Sequence, residues 1–381
     1  MSTLRGGPAV TLWEQIRAGR SPDDAGVSQV AEADRAVLGD GHVARLRAQL
    51  HSDVLGAGPL EVLLADPTVT DVLVNGLDGV WVDCGRGLER REVTFTDAAQ
   101  VRRLAVRLAT LANRRLDESS PFVDGLLPGG IRLHAVLPPL VESAAHVSLR
   151  IPRDDGLDLS GLQERGAFDE NGLGVLSELV SARVAFVVSG GTGSGKTTLL
   201  GALLRQVPAH ERIVIVEDVR ELRVDHPHVV RLEGRSANVE GSGEIALPVL
   251  VRQSLRMRPD RLVVGEVRGA EVRELLTALN TGHEGGCGTI HANTSADVVA
   301  RFEALGALAG MAAPAVHSQL ASAVSVVIHL RRAGGRRVVQ EIGVLARAAG
   351  RLQVRPALVR AGDRLERADG WAQLRTILGA S

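Results

Sequence analysis

Residues 183–206 read RVAFVVSGGTGSGKTTLLGALLRQ, and the fold turns on this stretch. A β-branched run, RVAFVVSG, leads into Gly190-Gly191-Thr192-Gly193-Ser194-Gly195-Lys196-Thr197, followed by Thr198. The eight residues fit G-x-x-x-x-G-K-[ST], with a predicted strand before them and a predicted helix, TTLLGALLRQV, after them. Glycines let the backbone fold so that several N–H groups point inward at concentrated phosphate charge. The helix start adds its positive end. Lys196 is placed to reach the β/γ-phosphates and the Thr197 hydroxyl to ligate Mg²⁺. The predicted ligands are therefore ATP and Mg²⁺, with residues 190–198 as the phosphate-binding segment.

Toward the C-terminus the text alternates helical segments with short β-branched runs, RIVIVEDV at 212–219 and RLVVGEV at 261–267. Such runs imply a parallel sheet covered on both faces, an α/β domain. Each ends in acid. The first supplies Glu217, Asp218 and Glu221, the second Glu266. The C-terminal ends of parallel strands are where such sheets place ligands, and phosphoryl transfer needs a held metal and an oriented water. The second strand ends in Gly265-Glu266 where an aspartate is usual in this motif, so metal ligation falls to the earlier acidic segment or runs through water. TGHEGGCGTIHANT at 281–294 then carries His283 and His291. Their spacing of eight does not suit a helical metal pair. They read as polar sensors of the γ-phosphate, or as a metal pair with a distant third ligand.

Toward the N-terminus, residues 1–54 are polar and Ala/Arg-rich, with helical periodicity near HVARLRAQLH, and read as a helical or mobile arm. Residues 55–152 read as a small α+β domain. TDVLVNG is a strand, VWVDCGRGLERREVTF a hairpin about Gly85–Gly87, and DAAQVRRLAVRLATLA a helix capped by Asp97; GGIRLHAVLPP and AHVSLRIPR are further strands. The polar stretch 153–172 reads as a linker with an entry helix, and 173–381 as the nucleotide-binding domain. Beyond about residue 345 only weak strand signals are read.

Composition narrows the function. Of 381 residues, 44 are basic and 45 acidic, a formal net charge of −1. Nucleic-acid binders usually carry a basic surplus, and five Phe, three Trp and no Tyr leave few stacking platforms for single strands. Nucleic acid is an unlikely partner on these grounds. The two cysteines, Cys84 and Cys287, form no CxxC pair and read as packed apolar residues. No run reaches the ~20 apolar residues of a membrane span, so a cytoplasmic chain is expected, reaching a membrane only through a partner.

The phosphate loop, IVIVEDVREL, LVVGEVRG and TGHEGGCGTIHANT, in that order, resemble the secretion traffic ATPases of type II and type IV secretion and type IV pili. DPTVTDVLVNG, LDESSPFVDGLLPGGIRLHAVLPP and VSLRIP look like the CpaF-type branch that drives tight-adherence (Flp) pili. The resemblance runs from about Gly56 to Gly343. It implies an N-terminal sensory domain joined to a RecA-like ATPase domain, a homo-hexameric ring, and docking on an inner-membrane platform protein, with the chain peripheral at the inner face of the membrane. It implies that Glu266 activates or positions water, that Glu217 assists water or metal, and that His283 and His291 form the family's histidine box. It also implies that Arg132 and Arg150 reach the nucleotide from the N-terminal domain. The absence of a tetracysteine zinc site points away from type II and pilus-extension branches. The expected activity is ATP hydrolysis coupled to pilus assembly or secretion. The alternatives are a conjugation-type secretion ATPase, a nucleic-acid-stimulated motor, and a nucleotide-dependent scaffold without turnover.

Overall fold

Alternating valines in DVLVN and VWVD set the first sheet: Val72, Val74, Val80 and Val82 are buried and the other residues of these two strands are not. That pattern belongs to a sheet with one covered face. The computed structural model describes residues 56–85, 87–151, 156–235, 242–282, 285–348 and 350–379. They fall into two units, one up to residue 151 and one from residue 156. The arm expected at residues 1–54 lies outside the described residues.

The first unit runs α1 (Glu61–Ala65), β1 (Asp71–Asn75), β2 (Val80–Asp83), β3 (Leu88–Arg91), α2 (Ala98–Leu111), β4 (Phe122–Leu126), β5 (Arg132–Val136) and β6 (His146–Arg150). Its strands pair antiparallel in the order β3-β2-β1-β6-β5-β4. Asp97 caps α2 by accepting the Gln100 N–H at 2.7 Å, a contact that stabilises a helix start by ~1 kcal/mol. The helix then buries Val101, Leu104, Ala105 and Leu108 in the same core as Val72, Val74, Leu133 and Leu149.

The second unit runs α3 (Leu159–Glu164), α4 (Glu170–Ser181), β7 (Phe186–Gly190), α5 (Lys196–Leu204), β8 (Ile213–Glu217), β9 (Val229–Glu233), α6 (Leu247–Ser254), β10 (Arg261–Val267), α7 (Val272–Leu279), β11 (Cys287–Ile290), α8 (Asp297–Leu308), α9 (Ala313–Ala323), β12 (Val326–Ala333), β13 (Arg336–Ala348), β14 (Arg351–Ala361), β15 (Arg364–Arg367) and α10 (Trp371–Ile377). The sheet order is β15-β14-β13-β12-β7-β11-β10-β8-β9. From β12 to β9 every pair is parallel. Strands β7 and β8 are buried throughout, which is why their sequences are unbroken apolar runs rather than alternating ones. One face packs on α3, α4, α5 and α10 through Leu159, Leu176, Leu200 and Leu374. The other packs on α6 to α9 through Val251, Leu275, Phe302 and Leu320.

Two features differ from a purely parallel reading. The tail is a regular antiparallel extension, β12-β13-β14-β15. Its pattern is blurred because a bulge between Ile342 and Gly343 shifts the register against β14, which carries Pro356 within the strand. The stretch 153–172 contains α3 and the first residues of α4, and its Leu159, Leu162 and Phe168 belong to the core.

Candidate nucleotide site

The register of the parallel strands brings the sequence-predicted groups of this unit to one edge. Val216 pairs with Val264, Val263 with Cys287 and Ile290 with Ser189. Glu217, Gly265-Glu266, His291 and Gly190 follow these pairs directly, so the acidic strand ends, the histidine segment and the phosphate loop meet at the carboxyl edge. His283 lies outside the described residues. Arg132 and Arg150 lie in the first unit, directly opposite one another on β5 and β6. Arg150 donates from Nε to Asp71 Oδ1 at 3.0 Å.

The loop shows why its glycines are glycines. Gly190 has φ +151°, and a Cβ there would lie 2.5 Å from the Leu330 carbonyl oxygen and 2.6 Å from Ser194 Oγ. Gly193 and Gly195 have φ of +70° and +96°, the left-handed region that glycine occupies at little cost. Helix α5 starts at once. Its first internal bond is Leu199 N–H to the Gly195 carbonyl at 2.9 Å, so the N–H groups of Lys196, Thr197 and Thr198 precede the first helical donor and are left for a ligand. The Lys196 ammonium donates to the Gly190 and Gly191 carbonyls at 2.9 and 3.1 Å. Partial burial lowers its pKa, against which the charges of Glu266 and Glu221 act. Ser194 Oγ is buried and finds no hydrogen-bond partner among the described residues. A buried orphan hydroxyl is costly, and this one belongs to the same loop as the Lys196 ammonium and the helix-start N–H groups. That donor set fits a phosphate anion.

Glu217 is 5% exposed. Its Oε1 accepts the N–H groups of Glu221 at 3.2 Å and Leu222 at 2.9 Å, while Oε2 has no partner among the described residues. Burial pushes its pKa up to about 7, and the two backbone donors only partly offset this. Residues 213, 215 and 263 belong to the core on the α5 face, so by alternation Glu217 and Gly265 lie on that face, the one carrying the phosphate-loop helix. A Cβ on Gly265 would come within 2.5 Å of Glu217 Cγ. The strand therefore has no aspartate at this point because Glu217 fills the space one would need. A buried carboxylate oxygen without a donor suits a divalent cation or its water. Thr197, at the start of α5, provides the hydroxyl predicted for the same ion.

Glu266 follows on β10. Arg268, which the sequence reading missed, holds its Oε2 through Nε at 2.9 Å and through a second, shorter bond from Nη2. The Thr289 hydroxyl donates to the Gly265 carbonyl at 2.7 Å and ties β11 to the acidic strand. Two more residues reach the loop from the hairpin of β12 and β13. Arg337 donates from Nε to the Gly193 carbonyl at 3.2 Å. His329, 4% exposed, pairs in register with Ser189 and lies 2.9 Å from its hydroxyl. A histidine inside the apolar run VSVVIHL was the available signal for the second. Nothing local marks Arg337, because its contact depends on how the hairpin folds back.

A family model described as type II/IV secretion system protein matches residues 53–357. The chain belongs to that family. This secretion protein is 54% identical over 324 residues, 83% of its length and 92% of the relative's, to a putative conjugal transfer protein of Mycobacterium tuberculosis. It is 32% identical over 291 residues to the conjugal transfer protein TrbB of Rhizobium radiobacter, covering 74% and 85% of the two chains. Among solved structures, the pilus retraction motor PilT with bound ADP matches with a TM-score of 0.53 at 19% identity, over 84% and 85% of the chains. The ATPase DotB of Legionella pneumophila matches at 0.51 and 18% identity, over 76% and 80%. These likenesses agree on the fold of the secretion protein: a RecA-like P-loop ATPase domain with a smaller N-terminal domain.

Proposed function

We propose that this secretion-family chain is an ATP-hydrolysing motor that powers assembly of a tight-adherence (Flp, type IV-like) pilus or secretion across the bacterial envelope. The observation that supports it most is the meeting of a donor-lined loop around Lys196 with a buried, partly unsatisfied Glu217 at one sheet edge.

The N–H groups of residues 191–198 and the Ser194 hydroxyl bind the phosphates, and the Lys196 ammonium turns to them from the loop carbonyls. Thr197 and Glu217 hold Mg²⁺, directly or through water; the ion supplies neutralisation of phosphate charge. Glu266 orients the attacking water and takes up its proton, with Glu217 assisting, and Arg268 fixes the Glu266 carboxylate in place. His291 and His283 respond to the γ-phosphate. Arg132 and Arg150 stabilise the charge of the transferring group from the N-terminal domain, and closure of that domain on the nucleotide turns the chemistry into motion. The working form is a homo-hexameric ring at the cytoplasmic face of the inner membrane, on a platform protein of the machine. The segments DPTVTDVLVNG and LDESSPFVDGLLPGGIRLHAVLPP support the tight-adherence reading.

A second reading, a conjugation-type secretion ATPase, is favoured by the conjugal-transfer names of the Mycobacterium and Rhizobium relatives. The test is steady-state phosphate release from the purified full chain, with assembly size measured in parallel, for the native chain and Glu266→Gln. Mg²⁺-dependent turnover that rises with ring formation and is lost in the variant is expected. Tight ATP binding with no phosphate release in any assembly state would sink the motor and leave a scaffold. Strong stimulation by DNA would replace it with a nucleic-acid motor.

A further inference from the structure

Behind the phosphate loop, on the side away from α5, lies a buried polar cluster that the proposed chemistry does not use. Ser189 is the residue before Gly190. Val187 and Val327 belong to the core on the α6–α9 face, so by alternation Ser189 and its register partner His329 share that face. His329 Nδ1 lies 2.9 Å from Ser189 Oγ, and the backbone of Asn293, two residues past His291, is close enough to act on the ring. On the other flank His329 pairs in register with Glu341 of β13. Burial pushes the Glu341 carboxyl toward its neutral form, and the nearby Ser295 partly offsets this. Its Oε1 has no partner among the described residues. Ser189 is 0% exposed, His329 4% and Ser295 8%.

Three buried polar side chains, with the half-buried Glu341 beside them, are destabilising unless their bonds are met. A neutral imidazole carries one donor and one acceptor, which matches a hydroxyl on one side and a backbone group on the other. The ring therefore bridges two segments that both follow the carboxyl edge: the root of the phosphate loop and residues 293–295 leading into α8.

We propose that His329 is a positioning residue that couples the segment after His291 to the phosphate loop through Ser189. A displacement of residues 291–295 is carried to Gly190 by the ring rather than through α5. The inference deepens the motor reading of this site and rests on it for the chemical step, but the coupling itself has a readout that needs no turnover.

The experiment uses the full chain and the variants Ser189→Ala, His329→Leu and His329→Asn, with ADP as the probe. Amide hydrogen exchange of residues 291–298 is followed with and without ADP, beside ADP affinity, melting temperature and steady-state phosphate release. ADP should slow exchange in the native chain. Ser189→Ala and His329→Leu should abolish that response while ADP affinity stays within about twofold. In both, kcat should fall about tenfold, equivalent to ~1.4 kcal/mol, and the double variant should fall no further than either single one. His329→Asn, which keeps a donor and an acceptor, should recover part of the response. An exchange response intact in Ser189→Ala would overturn the coupling. So would affinity, melting temperature and turnover all falling together, which is the signature of a merely structural histidine. Ser189→Ala removes a single oxygen and decides the matter if His329→Leu does not fold. A native chain that shows the exchange response but releases no phosphate refutes the motor reading and leaves the coupling standing.

Discussion

Glu217→Gln should make the protein more stable and less active, and the gain should depend on pH. In the folded chain the carboxyl titrates at about 7 rather than near 4.5 because it is buried. The folded state therefore holds this proton more tightly than the unfolded chain does. Below about pH 4.5 both states carry it and the group contributes its full stability; that contribution is lost as pH rises toward 7. The gap is worth about 3 kcal/mol at ~1.4 kcal/mol per pH unit. An amide has no charge to desolvate, and its oxygen can still accept the N–H groups of Glu221 and Leu222. Its nitrogen inherits the place of the unpartnered Oε2, which returns ~1 kcal/mol of the gain. Glu217→Gln should thus exceed the native chain by about 2 kcal/mol at pH 8, with the difference vanishing near pH 5. Urea unfolding of both proteins at pH 5, 6, 7 and 8 reads this directly, and phosphate release should fall in the same variant. Unfolding curves that stay parallel at every pH, or a variant less stable than the native chain at pH 8, would refute the argument.

Other perturbations test other parts. Lys196→Ala should remove nucleotide binding, read by fluorescent-nucleotide titration, because it deletes the ammonium, held on the Gly190 and Gly191 carbonyls, that the proposed mechanism turns to the phosphates; retained affinity would discredit the site. Gly265→Ala places a methyl 2.5 Å from Glu217 Cγ; overpacking of this kind costs about 1–3 kcal/mol, and a melting temperature equal to the native one would show that Glu217 moves aside freely. Glu211→Ala strands Arg261, which is 2% exposed and bound to Glu211 Oε2 through Nε at 2.6 Å. Loss of about 3–5 kcal/mol is expected, measured by denaturant unfolding, with nucleotide affinity unchanged because this pair sits at the far end of β10 from Glu266.

Much of the candidate site, as the segments that meet at this sheet edge, could be read from the chain because its signals are local. A phosphate loop is contiguous, and so are acids that end buried strands; Gly190 to Thr198, Glu217 and Glu266 needed only their neighbours in sequence. Asp97 as a helix cap is legible for the same reason. What escaped the reading is what only tertiary pairing creates. Arg337 meets Gly193 across 144 positions, and His329 meets Ser189 across 140. The tail's strands were faint because a strand between two sheet neighbours can bury both sides or neither, so Arg336–Ala348 lacks clean alternation. The missing aspartate of the second acidic strand was visible as Gly265. Its cause, the bulk of Glu217 beside it, was not.

That contact between Gly265 and Glu217 has an inheritance of its own. Positions 217 and 265 lie on adjacent strands and share one small volume. A lineage that acquires an aspartate at 265 must first surrender the long acid at 217, and one that keeps the long acid can tolerate little beyond a hydrogen at 265. The two codons should therefore drift as a pair. Across descendants of this chain there should be two stable solutions for placing a carboxylate at this edge, with few viable sequences between them.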